Sequence, residues 1–255
     1  MTTSVADADL PCTDDVRALP DALMRPLRFA ARPWFHRRYD LHLHHADRVP
    51  STGPVLLTPN HVGYLDGPLL VGMAPRPVHA MVKLEMFRGT MALLLNSTGQ
   101  IPLDRFAVDV NAVKLALKAL RDGKVVAIYP EGGRGAGDAR YVKRGWAYLA
   151  LVTGAPIVPV ATFGTRLPGE SVETVPPRGA RIDIVYGEPI TVEPRPWPRR
   201  SDEVRTLTRE LQQILAAHVA ASARMVGAPA SSDAPDGDEP EPGSIGFGAL
   251  PDRSE

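Results

Sequence analysis

The 255-residue sequence has one cysteine, Cys12, and no run of about 18 apolar residues. A single thiol forms no internal disulfide, so the cysteine count gives no sign of an oxidising compartment. No His or Asp pattern surrounds Cys12, which reads as an exposed bystander. The missing apolar run excludes a transmembrane helix. The first residues, MTTSVADADLPCTDD, are acidic and lack the apolar stretch of a signal peptide. A cytoplasmic protein is therefore expected. The sequence also lacks Gly-x-Ser-x-Gly, and with it the nucleophile elbow of a serine hydrolase. Formal net charge is zero, so no basic excess points to nucleic acid.

The charge that is present is unevenly placed. Between Gly227 and Glu255 stand seven acids and one base, a net −6, which leaves +6 on residues 1–226. A moderately basic body suits phosphate ligands and anionic lipid surfaces. The tail itself, rich in Ala, Pro, Gly, Ser and acids, cannot bury enough to offset its ordering entropy, and residues 227–255 are expected to be disordered. Residues 1–15 read as a disordered leader. Residues 16–48 form a basic and aromatic segment in which Leu23, Leu27, Phe29, Trp34 and Phe35 alternate with arginines, the composition of an interfacial element. The alternative is a helix packed on its own domain. Pro20, Pro26 and Pro33 are expected to break the segment into short pieces.

Apolar content of 44% supports a real core in residues 49–226. Short apolar runs alternate with helical patterns there. Strands are predicted at Val55–Thr58, Val78–Val82, around Ile101, at Val125–Tyr129, Ile157–Phe163 and Arg181–Tyr186. Helices are predicted from Asp109 to Asp122, stopped by Gly123, from Arg144 to Thr153, closed by Gly154, and from a Ser201 cap onward. This order means an α/β domain with a mostly parallel central sheet flanked by helices.

The sharpest local signal is Pro59-Asn60-His61-Val62-Gly63-Tyr64-Leu65-Asp66-Gly67-Pro68. His61 and Asp66 would lie about 140° apart on a regular helix. In a turn leading into a helix, with Gly63 and Gly67 permissive and Pro68 at the first helical position, they can meet. Asp66 would then fix the tautomer of His61, giving a base and its orienter without a protein nucleophile. Three further segments fit: Gly99 to Arg105, Tyr129 to Gly135 with Arg134 able to pair a phosphate, and Ala155 to Val160. A second histidine cluster, His42, His44, His45 and Asp47, lacks metallo-hydrolase spacing and reads as a solvated strand edge; no metal site is expected.

The four segments, in this order, resemble the glycerolipid acyltransferase family typified by bacterial 1-acylglycerol-3-phosphate acyltransferases. Asn60, His61 and Asp66 match the first motif, Gly99, Asp104 and Arg105 the second, and Pro156 and Pro159 the fourth. The third motif, Glu-Gly-Thr-Arg-Ser in the family, is Glu131-Gly132-Gly133-Arg134-Gly135, so two hydroxyl donors are absent. The resemblance covers about residues 50–190. It implies His61 and Asp66 as the catalytic pair. It places Lys83, Arg105 and Arg134 at the acceptor phosphate, and Glu131 and Gly132 at the glycerol, with Asn60 and Gly133 also in the binding set. It further implies a lysophospholipid acceptor, an acyl-CoA or acyl-carrier protein donor, no cofactor, and a peripheral seat on the inner face of the cell membrane. The altered third motif leaves open a different lyso-acceptor, or lipid binding without catalysis on the same fold.

Overall fold

The computed structural model describes residues 11–229. The first ten residues of the expected leader, and 230–255 of the expected tail, lie outside them. Seven strands form one sheet: β1 (Asp40–His44), β2 (Val55–Pro59), β3 (Val78–Lys83), β4 (Ile101–Leu103), β5 (Val125–Ala127), β6 (Ile157–Phe163) and β7 (Arg181–Tyr186). Their order is β1-β7-β6-β2-β5-β3-β4. All neighbours are parallel except β6 and β7. The central strands β2 and β6 are buried along their whole length, as parallel strands covered on both faces must be.

The helices are α1 (Met24–Arg38), α2 (Asp66–Met73), α3 (Gly89–Ser97), α4 (Val110–Arg121), α5 (Gly145–Thr153) and α6 (Ser201–Val226). One face of the sheet meets α4, α5 and α6 through a layer that includes Leu56, Val126, Leu117, Trp146 and Leu211. The other meets α1 and α2 through Leu57, Val158, Leu69, Met73 and Phe35. Asp109 caps α4, its carboxylate accepting from Ala112 N at 2.9 Å, and Gly154 ends α5 at φ 65°, as the sequence pattern anticipates. Ser201 is instead the first helical residue of α6. Arg200 stands at its N-cap, where its amide donates to Glu203 at 3.2 Å.

Three expectations need correction. The sheet begins at Asp40, not at 49: β1 pairs in parallel with β7, Asp40 opposite Arg181, and His44 binds the buried Asp183 at 2.8 Å. Its half-polar alternation is that of an edge strand, which local pattern cannot assign to a sheet. Second, the leader is not wholly detached, because Arg121 on α4 donates to Pro11 O at 3.0 Å and Thr13 Oγ1 at 2.8 Å, and Thr13 is buried. Third, α1 is one helix. Pro26 falls in its first turn, where a missing N–H costs little, and Pro33 forfeits only its bond to Phe29 O. Tertiary contacts offset that loss: Met24, Arg28 and Phe35 are buried. Arg28 and Arg32 both donate to Ala74 O, just beyond the end of α2, the Arg32 bond at 3.0 Å. Cations at a helix C-terminus are stabilising. Burial pulls the Arg28 guanidinium down to about 10. The outer face of α1 leaves Phe29 and Trp34 exposed.

Leu57→Ala, in the fully buried β2, is expected to destabilise the fold by about 2–5 kcal/mol, whereas Phe29→Ala should stay within about 0.5 kcal/mol of wild type. Urea unfolding of both variants measures the contrast.

Candidate active site

The parallel strands end on one edge of the sheet, where α/β folds place ligands. β2 delivers Asn60 and His61 there, β3 Lys83, β4 Arg105, β5 the segment Tyr129 to Gly135, and β6 Thr165. The dyad forms as the spacing allows. His61 Nδ1 lies 2.8 Å from Asp66 Oδ2. Asp66 is the first residue of α2 and Pro68 the third, two positions later than the pattern suggests. The same Asp66 oxygen accepts from the backbone amides of Val62 at 2.7 Å and Gly63 at 2.9 Å. The other oxygen accepts from Thr165 Oγ1 at 2.5 Å. Asp66 is fully buried, and a buried carboxylate persists only when it is satisfied in this way. An ionised carboxylate accepts and does not donate, so His61 carries its proton on Nδ1 and leaves the Nε2 lone pair free. Gly63 permits the approach, since a Cβ there would stand 2.7 Å from Thr165 O.

The third motif holds the first from below. Glu131 accepts from His61 N at 2.7 Å and from Ala139 N at 2.9 Å, while Gly135 N donates to His61 O at 2.9 Å. The backbone of His61 is thus fixed at both its donor and its acceptor. Burial pushes the Glu131 carboxyl up to about 8, with the two amides pulling the other way. Tyr129 walls one side of the imidazole, ring centroids 4.2 Å apart, and burial pushes its phenol well up.

A cavity of about 500 Å³ opens beside His61. It is apolar on the flanks of α1, α2 and α3, through residues such as Leu27, Phe35, Val71, Met91 and Leu94, while Lys83, Arg105 and Arg134 stand at its polar end with Gly132 and Gly133. These five expected site residues and His61 therefore converge. Asn60 and Glu131 are buried and lie outside the cavity lining. Asn60 is buried, accepting from Thr162 N at 2.8 Å and donating to Gly137 O at 3.2 Å, so it ties the end of β2 to β6. Glu131 is a positioning residue for His61. Arg134 is engaged by its own chain, donating to Val172 O at 3.0 Å and Glu173 at 2.6 Å; any phosphate there competes with an exposed carboxylate.

Two residues escaped the sequence reading. Thr165 stands 99 positions from its partner Asp66, with no local motif to mark it. Lys143 donates to Arg105 O at 2.7 Å and lies over Gly132, where a Cβ would meet its Cε at 2.6 Å. Burial, then the Arg105 charge, lowers its ammonium. A residue larger than glycine at 132, which sits at φ 74°, would displace it.

The polypeptide matches the family model described as Acyltransferase over residues 40–162, which starts at β1 and spans the dyad and the third motif. The match and the relatives below support the resemblance to the glycerolipid acyltransferases. The chain is similar to the 1-acyl-sn-glycerol-3-phosphate acyltransferase of Bacillus subtilis (strain 168), 28% identical over 150 residues, covering 58% of this chain and 72% of that one. It is also similar to the protein of the same name from Borreliella burgdorferi, 28% identical over 125 residues, covering 48% and 50% respectively. The fold is that of the 1-acyl-sn-glycerophosphate acyltransferase PlsC from Thermotoga maritima, with a TM-score of 0.54 at 18% identity over 76% of this chain and 77% of that one. These matches support an O-acyltransferase, built on a mostly parallel α/β sheet.

Thr165→Val should lower kcat about tenfold by leaving one buried Asp66 oxygen unpaired. KM should stay unchanged, since Thr165 does not line the cavity. Steady-state kinetics separates the two. The Glu131 carboxyl gives a pH signature. Its folded value of about 8 lies above the ordinary 4.5, so the native state holds its proton longer, and this contribution to stability is lost as pH rises between those values. The melting temperature of wild type relative to Glu131→Gln is expected to fall from pH 5 to about pH 8 and then level off.

Proposed function

We propose that this protein moves a fatty acyl group from an acyl-CoA or acyl-carrier protein thioester to the sn-2 hydroxyl of lysophosphatidic acid, giving phosphatidic acid. One observation carries the reading: the free Nε2 of an oriented histidine faces a cavity that is apolar along its flanks and cationic at one end. A lysophospholipid has that polarity, one chain and one phosphate. The names of the two curated relatives support the same acceptor.

His61 Nε2 takes the proton of the acceptor hydroxyl as its oxygen bonds to the thioester carbonyl carbon. The tetrahedral intermediate collapses, the carbon–sulfur bond breaks, and His61 returns the proton to the leaving thiolate. Asp66 stays ionised and holds the imidazolium. Lys83 and Arg105 pair the phosphate, with Arg134 joining them if it leaves Glu173, and Lys143 supports Arg105 through its backbone. The thioester arrives activated, so these side chains suffice without a cofactor. Among the described residues no helix is long and apolar enough to cross a membrane, and we place the protein peripherally on the inner face of the cell membrane, where its acceptor resides.

The test is acyl transfer from a long-chain acyl-CoA to lysophosphatidic acid. Wild type should form phosphatidic acid, and His61→Ala should lose roughly 10²–10⁴-fold in kcat. Equal rates would remove His61 from the mechanism. Product only with acyl-carrier protein, or only with another lyso-acceptor, would reassign the donor or the acceptor and leave the dyad in place.

A further inference from the structure

Helix α3, GTMALLLNS, carries no charged residue and buries none of its side chains. Its central residues Met91 to Leu95 are apolar all round, and such a surface requires a cover. Met91, Leu94 and Leu95 account for one side, since they line the cavity. The remaining surface shows Leu93, 73% exposed. Close to the helix start, Glu85 lies 3.8 Å from Arg105, which brings the turn before α3 beside the β4–α4 loop. That turn and loop expose Leu84, Phe106 at 71% and Val108 at 73%. Contiguous apolar surface of this kind marks a place of contact.

Charge identifies the occupant. Lys83, Arg88 and Arg105 flank this patch, and across the cavity α1 presents Arg25, Arg32 and Arg37 with no acid along its length. The acids of this region are engaged locally: Asp104 accepts from Phe106 N at 2.9 Å, Asp109 caps α4, and Glu85 lies against Arg105. Leucine, phenylalanine and valine ringed by cations match the acyl and headgroup layers of an anionic leaflet. Both helices line one cavity, so something broad and flat would meet the surfaces they expose together. We propose that α3 and the β4–α4 loop form a second lipid-contacting surface which, with α1, seats the cavity mouth on an anionic bilayer, so that a single-chain lipid passes from leaflet to His61 without crossing water. This deepens the proposed function and rests on it for the identity of that lipid.

The experiment uses the full chain and phosphatidylcholine vesicles with or without phosphatidylglycerol. Leu93 and Val108 lie outside the cavity lining. Leu93→Ser with Val108→Ser should weaken binding to the anionic vesicles roughly tenfold or more, and turnover of a monomeric short-chain lysophosphatidic acid should be unchanged. Separately, the added fluorescence of L93W should shift to the blue on vesicles and be quenched by brominated acyl chains. Full vesicle binding by the double variant, or an unquenched L93W signal on bound protein, overturns the proposal. So does a loss of self-association with vesicle binding intact, which would make a second copy the occupant. Vesicle binding is read without turnover, so failure of the acyl-transfer assay alone would refute the proposed substrate and leave the surface standing.

Discussion

Burying the carboxylate of Asp66 is the constraint around which the active site is assembled. A bare carboxylate in this position would be prohibitively costly, and the chain removes the cost by aiming four donors at its two oxygens: the imidazole of His61, the amides of Val62 and Gly63, and the hydroxyl of Thr165. Each donor is thereby fixed in turn. The turn after β2 takes one shape, β6 is extended far enough to bring Thr165 across, and the imidazole takes one tautomer with its second nitrogen toward the cavity. Because the same group sits at the start of α2, the helix dipole favours its charge. The shape of the turn and the orientation of the imidazole are one set of hydrogen bonds.

A second layer explains why the third motif lies so near the first. Glu131 and Gly135 hold the amide and the carbonyl of His61, which fixes its backbone from outside the cavity. The glycines that replace hydroxyl residues at 133 and 135 leave these backbone bonds untouched. The cationic end of the cavity is built separately, from the ends of β3 and β4 and from Arg134. Arg134 is held by Glu173 until something displaces it. The His61–Asp66 pair and the cationic cluster thus rest on different elements.

Much of this was legible in one dimension. The apolar runs at Val55, Val78, Ile157 and Arg181 and the helix ending at Gly123 are local patterns with local causes, and they emerged within a residue or two. His61 and Asp66 were legible because their spacing is short and glycines surround them. Misreadings came where long-range contacts decide. Pro33 reads as a breaker, yet α1 stays whole because Phe35 and Arg28 are buried against α2. Residues 40–44 read as part of an interfacial segment until β7, some 140 positions on, supplies their hydrogen bonds.

The sequence alone determined the class of fold and the pairing of His61 with Asp66, because period, turn chemistry and short spacing act between near neighbours. Only the tertiary structure decided what each residue does. Asn60 and Glu131 match a motif but face inward to backbone groups, Thr165 and Lys143 match none but touch the dyad and the second motif, and α3, which no local pattern marked, leaves its leucines unburied. Which way a side chain faces, and what covers it, depends on partners far away in the chain, and no local pattern carries that information.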